Sequence, residues 1–328
     1  MKFRTNYMGL NLRSPIVVSA CPLSEKLDNI ADMEKYGAGA VVLFSLFEEQ
    51  IQREKSLYRD VLETTTNSFP EAQNYFPDIE EYRIGTEKYL ELISEAKACV
   101  DIPIIGSLNG TSNEGWIEYA RQIEQAGADG LEINVFFIPA DIGLDGREVE
   151  NRYISILETV KDTVSIPVAV KLNPYFSAMG NMAKKLEQAG ADGLVMFNRF
   201  YQPDFDIDHL KVMSNLRFSS TQERRLPLLW IAALYGRIES SLAATTGVQG
   251  AEEVIKYLLA GADVVMTASA LYKFGIDHLQ SILLGIDEWM DSMGFDSVSD
   301  FRGIMSQQNV ADPTAFERAN YLKILSRA

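Results

Sequence analysis

Apolar residues along this chain form short runs that alternate with longer amphipathic stretches. Segments 125–131 and 188–194 have the same sequence, Gln-Ala-Gly-Ala-Asp-Gly-Leu. Each copy follows a stretch whose apolar residues have helical spacing, and each leads directly into a short apolar run. Looser versions occur at 36–42 and 259–265. We interpret each copy as a helix that ends at a left-handed glycine and turns at once into a buried strand.

The spacing of these copies predicts the fold class. Gly127 and Gly190, from the two identical copies, are roughly 63 residues apart, which corresponds to two units of about 32 residues. A (β/α)8 barrel divides about 250 residues into eight such units, so we predict an α/β protein with a TIM barrel. Because no linker interrupts the pattern, we expect a single domain over 1–328, with the barrel core at about 15–275 and a C-terminal helical extension over 276–328.

Eight short apolar segments have the length and β-branched content of strands that are covered on both faces. They are Pro15–Ala20, Ala40–Leu46, Pro103–Leu108, Leu131–Phe136, Pro167–Leu172, Leu194–Asn198, Leu242–Thr246 and Val264–Ala268. Helices are predicted over Asp28–Tyr36, Thr86–Cys99, Gly115–Ala126, Val149–Thr163, Asn181–Ala189, Leu228–Tyr235 and Ala251–Leu259. An N-terminal hairpin around Gly9 would cap the barrel bottom. One more helix is predicted over Gly275–Met293, and the tail to Ala328 has a helical pattern with a break at Pro313.

Two connections are too long to be simple turns. Phe47–Arg83 is polar and aromatic and carries Asn67, whereas Arg199–Arg225 has the pattern of a hairpin followed by Ser219. Both leave the C-terminal ends of predicted strands, where barrel proteins place their ligand loops. We therefore expect the functional site at that face.

Charge and composition exclude several functional classes. The formal net charge of −16 and the pI of about 4.7 make nucleic acid a poor partner. Cys21 and Cys99 lack metal-ligand spacing, and the only histidines are His209 and His278, so no metal centre is predicted. No apolar stretch approaches the ~18 residues of a membrane span, and the N-terminus lacks a signal-peptide core. We expect a cytoplasmic protein that acts on a small molecule.

Lys171 is the first candidate for chemistry, because it lies near the end of an apolar predicted strand. Buried lysines are rare unless they are paired, so its charge must reach the barrel mouth or find a partner inside. One interpretation is a cation held beneath a ligand that develops negative charge. The other is a lysine neutralised by an acidic neighbour such as Glu132.

Polar and small residues at other strand ends add to this candidate site. Asn134 and Asn198 occupy corresponding places on strands four and six, where amides can bind a flat heterocycle. Cys21 follows strand one and has no histidine nearby in the sequence, so a nucleophilic role is not favoured. Small residues close strands seven and eight, as in the phosphate sites of many barrels, although glycine in such turns often serves geometry alone. These small residues are Thr246, Gly247, Ala268 and Ser269.

Together these positions resemble the class 1 dihydroorotate dehydrogenases, flavin-binding barrels that oxidise dihydroorotate to orotate in pyrimidine biosynthesis. The similarity runs from about Met8 to Phe274. Its landmarks are Ser14–Ala20, Asn67-Ser68, Glu132–Asn134, Val170–Leu172, Phe197-Asn198 and Thr246–Ala262. The last of these aligns without a gap to the Gly-Gly-Val…Leu-Leu-x-Gly-Ala pattern of the family.

The resemblance implies FMN as the cofactor and a homodimer as the assembly. Lys171 would lie at the N1/O2 edge of the isoalloxazine ring and stabilise the anion of the reduced ring. Asn134 and Asn198 would contact both flavin and substrate, and Asn67 would contact substrate. The backbone of Ala20 and Cys21 would contact the flavin, and its phosphate would be held by Thr246, Gly247, Ala268 and Ser269.

The sequence departs from the family where the chemistry occurs. The family has Glu-Leu-Asn-x-Ser-Cys-Pro-Asn where this chain has Glu132–Pro139, so the Cys or Ser general base is replaced by Phe137. A substrate-binding asparagine is replaced by Pro139, and the lysine expected after strand two by Phe44. Loss of a positioned base commonly costs ~10²–10⁴-fold in rate. These changes predict a different substrate, beneath an apolar or aromatic roof formed by Phe44, Phe136 and Phe137.

Three functions remain open from the sequence. The first is an FMN-dependent oxidoreductase that acts on CH–CH groups of a divergent substrate. The second is a non-redox barrel enzyme that acts on a phosphorylated small molecule through Lys171, by electrostatics or imine formation. The third is a non-catalytic barrel scaffold, which the loss of the base suggests. Direct coupling to NAD is not indicated, because the chain has no Gly-x-Gly-x-x-Gly fingerprint.

Overall fold

The computed structural model describes residues 2–49, 85–110, 116–199, 203–213 and 217–317. The strands are β1 (Thr5–Tyr7), β2 (Leu10–Leu12), β3 (Ile16–Val18), β4 (Ala40–Val42), β5 (Leu46–Phe47), β6 (Ile104–Gly110), β7 (Gly130–Val135), β8 (Val168–Leu172), β9 (Gly193–Met196), β10 (Asp204–Asp206), β11 (Lys211–Met213), β12 (Ser241–Ala244) and β13 (Val264–Thr267). The helices are α1 (Leu27–Lys35), α2 (Thr86–Cys99), α3 (Trp116–Gln125), α4 (Gly146–Lys161), α5 (Met179–Gln188), α6 (Arg225–Leu234), α7 (Ala251–Ala260), α8 (Ser269–Phe274), α9 (His278–Met293) and α10 (Val298–Phe301). Short 3₁₀ helices occur at Pro22–Glu25, Thr221–Arg224 and Pro313–Phe316. Within these ranges, no helix has the length and apolarity that crossing a membrane requires.

Eight parallel strands close into one barrel, which confirms the predicted (β/α)8 TIM barrel. Around the barrel the strands follow the order β3, β4, β6, β7, β8, β9, β12 and β13, and β13 pairs again with β3. Short β5 pairs with the upper end of β6. All eight predicted strands coincide with barrel strands. The second long connection contains the expected hairpin, formed by β10 and β11.

The repeated glycines end helices in the conformation that the sequence predicted. Gly37, Gly127, Gly190 and Gly261 have φ values of 103°, 98°, 96° and 118°. A side chain is strained in this left-handed region, so glycine is favoured there. Each of these helices then turns directly into a barrel strand.

The aspartate of the repeat joins neighbouring strands at the bottom of the barrel. Asp129 accepts a hydrogen bond from the backbone N–H of Ile104, and Asp192 accepts one from Val168, each at 2.8 Å. Asp263 accepts the same kind of bond from the backbone N–H of Leu242 in β12. Each carboxylate also pairs with a basic side chain, respectively Lys97, Lys161 and Arg302. The aspartate of each repeat therefore stabilises the fold, at the end of the barrel opposite the expected site.

The barrel interior is apolar at the bottom and polar at the top. The hairpin of β1 and β2 places Tyr7 and Met8 against the bottom of the barrel, as predicted. Above them is an apolar layer contributed by Val17, Val42, Ile105, Ala169, Val195, Ala243 and Met266. Side chains alternate along a strand, so the next inward positions lie two residues further on. On five strands these positions are polar residues, namely Ser19, Ser107, Glu132, Lys171 and Thr245.

The described part of the C-terminal extension is less helical than its pattern predicted. α9 begins later than Gly275, and residues 302–312 form turns rather than helix. The extension packs tightly on the barrel helices, and a Cβ added to Gly303 would overlap the ring of Tyr235. The backbone of Gly303, at φ 80°, is also left-handed. Contacts with the barrel, rather than local periodicity, determine the path of the chain here.

Candidate functional site

A cavity of about 430 Å³ lies at the C-terminal ends of the barrel strands. Residues from the ends of β3, β8, β9, β12 and β13 surround it, together with the segment 217–219. Most of the predicted flavin contacts line this cavity, namely Ala20, Cys21, Lys171, Asn198, Thr246, Gly247, Ala268 and Ser269. Asn134 lies beside the cavity and contacts Asn198. The fold thus brings together candidates that are far apart in the sequence.

Lys171 lies at the floor of the cavity and forms a buried ion pair. Its Nζ atom is 3.2 Å from Oε1 of Glu132 and 3.4 Å from the hydroxyl oxygen of Ser19. The side chains of Lys171 and Glu132 are 9% and 1% exposed. The interpretation of Lys171 as a lysine paired with Glu132 is thus confirmed, whereas its role beneath a ligand stays a prediction. Lys171 has an acidic partner inside the barrel, and it also faces the cavity.

Three asparagines meet at the top of the barrel interior. The side-chain N–H of Asn198 donates a hydrogen bond to Oδ1 of Asn134 at 2.7 Å. Asn109 pairs in register with Asn134 on the neighbouring strand, so both side chains point to the same face of the sheet. Asn109 is 8% exposed and lies beside Asn134 at the barrel mouth, which makes it a candidate ligand contact.

The turns after β12 and β13 form the other end of the cavity. Gly247 has a φ of 76°, and its N–H donates to the Ser219 hydroxyl at 3.2 Å. That hydroxyl is 3.1 Å from the Ser269 hydroxyl, to which the Gln249 amide also donates at 2.8 Å. A Cβ on Gly247 would lie only 2.9 Å from the backbone nitrogen of Arg224. Glycine thus allows close packing of the connection that carries Ser219, and this packing gathers several hydrogen-bond donors at one place.

Two arginines line the outer part of the cavity. Arg199 pairs with Glu223 at 2.9 Å, and Arg217 pairs with Asp204 at 3.4 Å. These ion pairs are partly or fully exposed, so their contribution to stability is small. The two guanidinium groups nevertheless place positive charge at the cavity of a protein whose net charge is −16.

Cys21 is a buried thiol beside the aromatic wall of the cavity. Burial raises the pKa of Cys21 to about 11, against a smaller opposing effect of the Lys171 charge. Burial also raises the pKa of the neighbouring Tyr272 to about 12. The Tyr272 ring stacks on Phe218 with 5.4 Å between ring centroids. Because a thiol with a raised pKa is a poor nucleophile at neutral pH, this environment agrees with the sequence interpretation that a nucleophilic role of Cys21 is not favoured.

None of the three aromatic residues of the expected roof, Phe44, Phe136 and Phe137, lines this cavity. The Phe44 ring packs edge-on against Tyr89, with 5.0 Å between centroids, in the core outside the barrel. Phe137 packs against the same outer core, and the guanidinium of Arg152 lies 3.9 Å from its ring centroid. Regular strand pairing ends before Phe44, so alternation no longer determines its direction. The aromatic residues that do line the cavity are Phe197, Phe218 and Tyr272.

Four contributors to the site were not among the predicted site residues: Ser19, Asn109, Ser219 and Gln249. Ser19 and Asn109 continue the inward positions of predicted strands, so period-two alternation was a usable signal for them. Ser219 and Gln249 lie in connections, whose conformation local patterns do not specify. The predicted substrate contact Asn67 lies outside the described residues.

Fold and site define a TIM-barrel protein with a cavity at the C-terminal ends of its strands. The sequence profile described as dihydroorotate dehydrogenase matches residues 60–290. The chain therefore belongs to the dihydroorotate dehydrogenase family.

Curated relatives named dihydroorotate dehydrogenase B (NAD(+)), catalytic subunit, are similar to this chain over much of their length. The one from Methanothermobacter thermautotrophicus is 26% identical over 312 residues, which cover 92% of this chain and 97% of that protein. The one from Pyrococcus furiosus is 24% identical over 309 residues, covering 93% and 99%. The one from a Geobacillus strain is 28% identical over 226 residues, covering 67% and 71%. The similarity to the first two spans nearly the whole chain.

Proposed function

We propose that this protein is an FMN-dependent oxidoreductase that acts on a CH–CH bond of a small molecule. The observation that carries the proposal is that Lys171 and Gly247 line the same cavity. One end of the cavity thus has a buried ammonium group, and the other has a glycine turn with hydroxyl and amide donors. Family membership supports the same assignment.

The residues of the cavity fit FMN in size and in chemistry. A volume of about 430 Å³ lies within the usual range of ligand pockets, about 300–1,000 Å³. The close packing at Gly247 requires a residue without Cβ. Next to this turn, the hydroxyl groups of Ser219 and Ser269 lie side by side. Such donors suit a phosphate group. The aromatic residues at the cavity wall suit a flat ring system.

We assign the contacts as follows. Lys171 would lie at the ring and stabilise negative charge that develops there, because a fixed charge in a water-poor site acts strongly. Asn134 and Asn198 would hydrogen-bond the ring edge or the substrate. When bound, FMN supplies the two-electron chemistry. The remaining contacts would be the backbone of Ala20 and Cys21 at the ring, and Thr246, Gly247, Ala268 and Ser269 at the phosphate.

We further propose that the substrate is not dihydroorotate. The position of the family's Cys or Ser base holds Phe137, which cannot accept a proton and packs against the outer core. The family's substrate-binding asparagine is replaced by Pro139. At the barrel mouth, Asn109 presents a carboxamide. Phe47 pairs in register with Asn109 on the neighbouring strand, so its side chain lies on the same face of the sheet, and Phe47 is 38% exposed. A substrate with one hydrogen-bonding edge and an apolar body suits this pair.

The two rival functions are less well supported. An imine mechanism needs a free amine at Lys171, whereas this side chain forms an ion pair with Glu132. Borohydride trapping of Lys171 with carbonyl compounds would nevertheless support that mechanism. A pure scaffold does not require the buried ammonium at the cavity floor. Homodimerisation and a cytoplasmic location stay predictions from the sequence.

FMN binding tests the first part of the proposal. Titration of FMN with the purified protein is expected to quench flavin fluorescence and to give a bound-flavin absorbance spectrum. A colourless protein that takes up no added FMN would contradict the proposal. Reduction of the bound flavin by a physiological donor, followed by stopped-flow absorbance, separates an oxidoreductase from a scaffold.

Anaerobic mixing with dihydroorotate tests the second part. Flavin reduction is expected to be about 10²–10⁴-fold slower than in a family member that retains the Cys or Ser base. Dithionite serves as the control that the flavin is reducible. Reduction by dihydroorotate at the rate of such a family member would show that the substrate proposal is wrong.

A further inference from the structure

We infer that Glu132 is a positioning residue that holds Lys171 in its ammonium form whether or not the ligand above it is negatively charged. This inference rests on the proposed function as far as the ligand is a flavin. Glu132 thereby sets how many protons the protein takes up when that ligand is reduced.

The geometry of the pair is the basis of the inference. Glu132 lies in the middle of β7, and its side chain is 1% exposed. Oε1 accepts a hydrogen bond from Lys171 at 3.2 Å, whereas Oε2 is buried and no described residue hydrogen-bonds it. The second partner of Lys171, Ser19, is uncharged and lies 3.4 Å away. Among the described residues, Glu132 is therefore the only carboxylate that pairs with the ammonium group.

The other titratable groups near the pair come from three further parts of the fold. Cys21 follows β3, Tyr7 rises from the N-terminal hairpin, and Tyr89 projects from α2. Burial raises the pKa of each of these groups, and the Glu132 charge adds to the rise for both tyrosines. All three are thus neutral at ordinary pH and cannot supply a negative charge in place of Glu132.

Removal of this carboxylate changes the balance of charge at the cavity floor. Burial disfavours an unpaired charge, and a buried amine without a counter-charge prefers its neutral form. In a Glu132→Gln protein, Lys171 would then bind a proton only when negative charge develops above it. Reduction of the flavin would take up one more proton per two electrons than in the wild-type protein, in which Lys171 carries its proton throughout.

The pH dependence of the flavin reduction potential tests this inference. Glu132→Gln, loaded with FMN and titrated with redox dyes at several pH values, is expected to have a slope steeper by one proton per two electrons. The double variant Glu132→Gln/Lys171→Met lacks the titrating group and is expected to have the wild-type slope. An unchanged slope in Glu132→Gln, or a steepened slope in the double variant, would overturn the inference.

A control variant separates this effect from loss of an ion pair elsewhere in the barrel. Asp129→Asn removes a carboxylate that pairs with Lys97 at the opposite end of the barrel, 2.7 Å away. This variant is expected to lose stability and to keep the wild-type slope. A steepened slope in Asp129→Asn would show that the effect is general and would also contradict the inference.

Chemical labelling provides a test that needs no flavin. A neutral amine reacts with acetic anhydride and an ammonium group does not. Labelling of Lys171 in the flavin-free protein, measured by peptide mass spectrometry, is expected to rise about tenfold or more in Glu132→Gln, because a larger fraction of the amine is neutral. Equal labelling in both proteins would overturn the inference. Failure of the wild-type protein to bind FMN would instead refute the proposed function alone.

Discussion

The side chain of Asn198 donates a hydrogen bond to the side chain of Asn134 across β8, the strand that carries Lys171, with 2.7 Å between nitrogen and oxygen. This bond uses the Oδ1 acceptor of Asn134 and one N–H of Asn198. It leaves the Asn134 amide N–H groups and the Asn198 carbonyl oxygen for other partners. The pair thus presents a donor and an acceptor side by side, which matches the edge of a heterocycle.

Replacement of Asn198 is expected to weaken FMN binding. Asn198→Ala removes one hydrogen bond and leaves Asn134 without its partner, and a loss of about 1.4 kcal/mol corresponds to a tenfold rise in Kd. The Kd is measured by quenching of FMN fluorescence. Asn173→Ala is the control, because Asn173 bonds Tyr153 on the outer side of the barrel. If both variants bind FMN equally well, Asn198 is not a ligand contact.

Gly247 is expected to be essential for both the turn and the phosphate end of the cavity. Gly247→Val forces a side chain into the left-handed region, at a cost of about 1–3 kcal/mol, and displaces the connection that carries Ser219. Urea unfolding and FMN titration measure the two effects. Gly180→Ala in α5 is the control, since a Cβ there meets nothing within 4 Å. Unchanged FMN affinity in a folded Gly247→Val protein would contradict the assigned role.

Alkylation of Cys21 is expected to depend steeply on pH. Its raised pKa, about 11, leaves only about one thiol in a thousand ionised at pH 8, so the rate should rise about tenfold per pH unit between about pH 7 and pH 9. Iodoacetamide labelling of a Cys99→Ser protein, in which Cys21 is the sole cysteine, measures this rate. A rate that does not change with pH over this range would mean that the thiolate is already formed. Bound FMN should slow the reaction, because Cys21 lines the cavity.

Gly303 is expected to be required for docking of the C-terminal extension. Gly303→Ala strains a left-handed backbone, which costs about 1–3 kcal/mol in the free energy of unfolding, and also places a Cβ into the ring of Tyr235, which adds to this loss. In a Tyr235→Ala background the overlap is absent, and the added cost of Gly303→Ala should fall to the backbone contribution. Chemical unfolding of the four proteins measures both steps. Equal costs in the two backgrounds would show that the Tyr235 contact does not matter.

Local pattern by itself determined the barrel and much of its site. The repeated Ala-Gly-Ala-Asp segments predicted left-handed glycines such as Gly127 and Gly190, because only a residue without Cβ adopts that turn freely. Helix α2 was predicted with the observed limits, Thr86–Cys99. Lys171 and Asn134 could be placed at the barrel mouth, since a polar residue at the end of a buried strand has to reach solvent or a partner.

Only the tertiary structure decided which side chains face the cavity and which partners they have. Phe44 and Phe137 turn to the outer core because regular pairing has ended at their positions, so alternation gives no direction. The Lys171–Glu132 pair depends on the register between the neighbouring strands β7 and β8. The sequence suggested this pair as one of two interpretations of Lys171 but could not decide between them. Ser219 and Gln249 meet because two connections fold over the same strand end, and such contacts arise from the closure of the barrel rather than from any local pattern of residues.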